Sequence, residues 1–144
     1  MVVERRQHTA CVGQTITLPC RPHVEKDVDW NYWATATSSH YRVYSNGLIY
    51  RRFNESISRG RFAVVKSVGG DYNLVISNVS TSDAGRYTCV EDMGSGAEHV
   101  AELNVTGKLY LLNFVMYTVG QKKTRQFSFC ISSWIFRPTP PSPI

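Results

Sequence analysis

The sequence predicts an all-β sandwich of two antiparallel sheets, followed by a C-terminal tail outside the domain. Alternating apolar and polar residues recur roughly every eight to twelve positions between turn signals, the spacing of a sandwich or barrel. Helical periodicity is hard to find. The alternation then stops near residue 106 of the 144.

The first ten residues, MVVERRQHTA, carry charges where a signal peptide needs its apolar core. The expectation is a leader removed and replaced by a start Met, or a truncated gene model. His8 to Cys11 read as part of an edge strand. In TITLPC, Ile16, Leu18 and Cys20 share one face. In VDWNYW, Val28, Trp30 and Tyr32 alternate with Asp29, Asn31 and Trp33. YRVYSNGLIY places Asn46-Gly47 between two β-prone runs, a strong short-range hairpin signal. RFAVV and YNLVISNV supply Phe62, Val64, Tyr72, Leu74 and Ile76 to the interior, and RYTCV and HVAELNV make the last pair. The count is eight or nine short strands in about 105 residues.

Cys20 and Cys89 fall on inward faces of separate strands, 69 positions apart, with Trp30 inward between them. A bridge closing a loop that long would stabilise the fold by about 4 kcal/mol and suits an oxidising compartment. The alternative is two unpaired buried thiols. Cys11 and Cys130 could pair with each other, remain free or bridge to a second chain, which the sequence leaves open; an odd thiol near an edge strand is more often unpaired than an intermolecular staple.

Cys20, Trp30 and the run Asp83-Ala84-Gly85-Arg86-Tyr87-Thr88-Cys89 resemble an immunoglobulin domain, with its cysteine, tryptophan and D-x-G-x-Y-x-C signature. The resemblance covers residues 1 to 106 and leaves 107 to 144 as tail. It implies a Greek-key sandwich and a structural role for Tyr87, whose hydroxyl would return to the upstream backbone. Arg61 and Asp83 would form the ion pair that closes one end of variable-type domains. The hairpin at Asn46-Gly47 favours the variable type, since it supplies strands C′ and C″.

The net charge of +5 suggests nucleic acid until it is divided along the chain. Residues 1 to 106 hold eleven basic and eleven acidic side chains, which cancel. The surplus is Lys108, Lys122, Lys123, Arg125 and Arg137, all in the tail. No nucleic-acid face is therefore expected. His8, His23, His40 and His99 are scattered, and no nucleophile–base spacing, phosphate loop or paired-cysteine metal motif occurs. The reading is a non-enzyme without cofactor or metal.

Two binding readings remain. In the preferred one, an extracellular recognition or adhesion module meets a protein ligand, or its own copy as a homodimer, through the GFCC′C″ sheet face. Asn31, Trp33, Arg42, Tyr44 and Val90 are placed on that face, with Glu91 and Asp92 beside it. In the alternative, an antigen-receptor-like variable domain binds through its end loops. Gly94-Ser95-Gly96 argues against it, because no aromatic precedes the glycines and they begin only five residues after Cys89. The segment reads instead as a short F–G turn.

Sequons at Asn54, Asn78 and Asn104 point to glycosylation in a secreted context. After Gly107, an apolar run from Leu109 to Gly120 precedes QKKTRQ, but twelve residues are too few to cross a bilayer. Any membrane attachment would use segments outside this chain. Gly107-Lys108 is also what read-through into an intron would encode, so the tail is expected to be non-native or poorly ordered, with no core of its own.

Overall fold

The computed structural model describes residues 2–131. Its strands are β1 (Val2–Val12), β2 (Ile16–Leu18), β3 (Asp29–Ala34), β4 (His40–Ser45), β5 (Leu48–Ile49), β6 (Phe62–Lys66), β7 (Tyr72–Ile76), β8 (Gly85–Val90), β9 (Glu98–Thr118) and β10 (Gln121–Ile131). A helical turn, α1 (Arg51–Phe53), runs into a π-helical turn (Asn54–Ser58). Arg51 and Arg52 therefore occupy a helical turn.

One sheet has the order β1-β9-β8-β3-β4-β5, with β10 added to β9; the other is β2-β7-β6. All pairings in both sheets are antiparallel except β1 with β9 in the larger sheet, which is parallel. The two sheets close on Leu18, Trp30, Tyr32, Leu74, Ile76 and Tyr87, each nearly or fully buried. The disulfide Cys20–Cys89 joins the sheets, with Cα atoms 6.3 Å apart. Trp30 Nε1 donates to the Tyr72 carbonyl at 2.8 Å, so the indole is buried without leaving its N–H unpaired.

Turn chemistry fixes the register where the sequence signals it. Asn46 and Gly47 adopt φ values of 50° and 85°, joining β4 to β5. Gly85 is required for a different reason. A Cβ there would collide with the Trp33 carbonyl oxygen and press on the Tyr32 ring. The glycine lets β8 approach β3 closely at the sandwich end.

Tyr32 and Tyr87 stack in the core with ring centroids 4.4 Å apart. The Tyr87 hydroxyl donates to the Asp83 carbonyl at 2.5 Å, and the Tyr32 hydroxyl donates toward Ala84 and Ser82 at 2.7 and 2.8 Å. Burial pushes the Tyr32 phenol up to about 12 and holds Tyr87 well above the usual tyrosine range. Unfolded tyrosines ionise near pH 10. Both groups therefore contribute stability in full below about pH 10, and that contribution declines as pH rises toward 12. The melting temperature is expected to fall over this window; a flat profile would contradict it.

Two expectations change beyond residue 106. The segment expected to be poorly ordered is, from 107 to 131, a β-hairpin: β9 runs on to Thr118 and β10 folds back along it, from Gln121 opposite Thr118 to Ile131 opposite Lys108. Its side chains are mostly exposed, including Leu111, Phe114, Met116, Tyr117 and Phe129. It is a ribbon paired through backbone, without a layer above it. The fold-back also carries Cys130 to β1, where it pairs with Cys11 at a Cα separation of 5.5 Å. Of the three states left open for these cysteines, the structure has the intramolecular pair, a second disulfide. Residues 132–144, including Arg137, lie outside the described residues. Among the described residues, no helix is long and apolar enough to cross a membrane.

Candidate functional site

The outer face of the larger sheet is built from alternate residues of β1, β9, β8, β3 and β4. In β3, Asp29, Asn31 and Trp33 are half-buried while Trp30, Tyr32 and Ala34 point into the core. Trp33 pairs in register with Arg86 on one side and His40 on the other. Its ring stacks on His40 at 4.5 Å, and the Arg86 guanidinium lies over it at 4.9 Å. The indole is therefore held rigidly upon the face with part of its surface exposed, and Asn31 Oδ1 braces His40 at 3.1 Å. Arg42 remains exposed, lying over the Tyr50 ring at 5.2 Å. Val90 is half-buried at the end of β8. A groove of about 480 Å³, lined by residues including His40, Arg42, Tyr50 and Phe53, adjoins this cluster.

Two residues expected on or beside the face lie elsewhere. Tyr44 belongs to the core, because a β-bulge sets it opposite Trp30 while Arg42 pairs with Asn31. The extra residue, Val43, shifts the alternation, so Tyr44 turns inward. Glu91 is 3% exposed. Its carboxylate accepts from the His23 amide at 2.6 Å and the Ala97 amide at 3.1 Å, so it cannot read a partner from the loop surface. Asp92 remains half-exposed, 3.5 Å from Lys26 Nζ.

The connection between β8 and β9 is a short turn in which Asp92, Met93 and Gly94 all have positive φ. A Cβ on Gly96 would press against Glu91, so this glycine serves close packing. At the opposite end, Arg61 grips Asp83 through two nitrogens at 2.6 and 2.9 Å. Of the sequon asparagines, Asn78 and Asn104 are exposed. Asn54 is half-buried, and its Oδ1 accepts from Ser58 and the Gly60 amide.

The histidines are less scattered than their spacing suggests. His23, Glu91 and His99 come together at the loop end of the sandwich, with one potential ligand atom from each lying within 4.8 Å of the others. Sequence spacing carries no signal for this cluster, because a loop, a strand end and a strand start meet there only after folding.

A family model for the immunoglobulin V-set domain matches residues 3–106. The chain belongs to the immunoglobulin V-set family. No curated protein matches the sequence. Among solved structures, this V-set domain is similar to a chain of Dpr1 IG1 bound to DIP-eta IG1, at 25% identity, covering 72% of this chain and 91% of that one, with a TM-score of 0.54. It is also similar to the extracellular domain of the voltage-gated sodium channel beta4 subunit, solved as parallel homodimers, at 17% identity over 73% and 93% of the two chains (TM-score 0.54). The ZIG-8 IG1 homodimer is a third neighbour, at 12% identity over 73% and 82% (TM-score 0.53). The last two likenesses are of fold alone.

Proposed function

We propose that this V-set domain is an extracellular recognition and adhesion module that binds another protein through the outer face of β9, β8, β3, β4 and β5. The partner is a second immunoglobulin domain or a second copy of the chain. The observation that carries the reading is Trp33, fixed between His40 and Arg86 on an otherwise mixed-charge face. A partly exposed, pre-oriented tryptophan flanked by a cation is the composition of an interface anchor. The face also contains apolar and charged groups in alternation, as non-obligate interfaces do.

The neighbours support the class of partner. Dpr1 IG1 was solved bound to another immunoglobulin domain, and the beta4 structures are described as explaining a role in cell-cell adhesion. The two disulfides support an oxidising, extracellular setting, and glycans at Asn78 and Asn104 would fit it. Binding by the end loops has less to recommend it, since the β8–β9 connection is short and its Glu91 is buried.

Sedimentation of the chain over a wide concentration range, beside pairwise binding to a panel of immunoglobulin ectodomains, tests the proposal. Trp33→Ala is expected to weaken the complex by about 2 kcal/mol, roughly 30-fold. Phe114→Lys, in the part of β9 that pairs with β10 and extends beyond the β8–β9 ladder of the proposed face, should leave it unchanged. Equal binding by the parent and Trp33→Ala would remove the sheet face from consideration.

A further inference from the structure

The loop-end cluster combines two unusual features. His99 is 7% exposed, yet neither ring nitrogen has a hydrogen-bond partner. Against it stands Glu91, a carboxylate almost completely withdrawn from water. Burying an imidazole that makes no hydrogen bond, with only the Glu4 carboxylate 3.5 Å from its Nδ1, and a carboxylate without a strong cation is costly. Glu91 has two backbone amides and His23 Nδ1 at 3.9 Å.

We infer that His23, Glu91 and His99 form a site for a divalent transition-metal ion, of which Zn²⁺ is the best match. Two imidazole nitrogens and one carboxylate oxygen are a donor set that Zn²⁺ favours over Ca²⁺ or Mg²⁺, which select oxygen. Each Glu91 oxygen accepts one amide, which holds the carboxylate in place and leaves a lone pair for a metal. Tetrahedral bonds of about 2.1 Å place ligand atoms roughly 3.4 Å apart. The present spread of up to 4.8 Å closes by rotation of His23, whose side chain is 64% exposed, together with a small shift of the His99 ring toward the amide-held Glu91 carboxylate.

The approach to the site is open. Glu4, Arg21, Pro22, His23 and His99 line a cavity of about 400 Å³ at the surface. Glu4 Oε2 stands 3.5 Å from His99 Nδ1 and adds negative charge on the β1 side. The Arg21 guanidinium is drawn away by Asp71 at 2.9 Å. A bound ion would tie together the β2–β3 loop, the end of β8 and the start of β9. This inference is independent of the sheet-face proposal.

Calorimetric titration of the full chain, free of tag histidines, with Zn²⁺ and then with Co²⁺ tests the site. The expected result is one ion per chain, a visible Co²⁺ absorption typical of low coordination number, and a rise in melting temperature with excess Zn²⁺. His23→Ala should weaken Zn²⁺ binding by about 10-fold or more. Because His23 is exposed, the melting temperature of the metal-free variant should match that of the parent. Glu91→Gln, with an isosteric side chain, should weaken binding similarly. Absence of saturable binding up to about 1 mM, or equal affinity in His23→Ala and the parent, would overturn the assignment.

Discussion

Replacing Asp83 with alanine is expected to destabilise the fold by about 3 kcal/mol, among the largest effects of any single polar substitution in the domain. Its side chain is 1% exposed and serves two groups. One is Arg61, bound through both terminal nitrogens. The other is the Ser80 amide, which donates to Oδ2 at 2.8 Å and completes the cap of the 3-10 turn at Thr81–Asp83. Alanine leaves a guanidinium that is 21% exposed with no counter-charge and an amide without its acceptor. The Ser77, Asn78 and Ile57 carbonyls still accept from Arg61, which keeps the loss near the lower end for a broken buried pair. The Tyr87 bond is to the Asp83 backbone carbonyl and should survive. Urea denaturation of the variant reads the loss directly. A change below about 1 kcal/mol would mean that desolvation cancels the attraction of the ion pair.

Substituting Cys20 and Cys89 together by alanine should cost a similar or larger amount, about 4 kcal/mol, because the bridge closes a loop of 69 residues. Against a typical total of about 5–15 kcal/mol, that loss is about a quarter of the stability or more. The double substitution avoids leaving one reactive thiol in the core. It also leaves the Cys11–Cys130 bridge intact, so that the inter-sheet link is tested alone. The denaturation midpoint should drop well below that of the parent. A variant within about 1 kcal/mol of the parent would show that the packing of Trp30 and the tyrosines holds the sheets together without the link.

Most of the sandwich was legible in the sequence because it is written in local patterns. Strict alternation marks β3 and β8, Asn46-Gly47 marks the β4–β5 turn, and D-x-G-x-Y-x-C places Asp83, Gly85, Tyr87 and Cys89 at fixed offsets. Each offset has a physical reason, such as the missing Cβ that allows Gly85 to pass Trp33. Two kinds of information were not local. The bulge at Val43 depends on the pairing of β4 with β3, and it alone turns Tyr44 from surface to core. The meeting of His23, Glu91 and His99 depends on three segments closing one end of the sandwich. The hairpin after residue 106 escaped detection for another reason: its apolar residues occupy both faces, so no alternation announces a strand, and backbone pairing with β9 supplies the order. The same fold-back determines the partner of Cys11, which spacing left open.

The Cys11–Cys130 bridge has a mechanical consequence for the parallel ladder between β1 and β9. The ladder extends from Val2 opposite Glu98 to Val12 opposite Lys108, with both strands pointing the same way. A load that pulls the start of β1 against the chain beyond β10 runs along β1 to Cys11 and crosses the Cys11–Cys130 disulfide. The force is then carried by a covalent bond, and the β1–β9 hydrogen bonds are largely relieved of it. Survival under tension depends on the unfolding rate, which a covalent bypass of this kind lowers for as long as the bridge is intact. Resistance of the chain to stretching would therefore answer to reducing agents as well as to the strength of its backbone pairing.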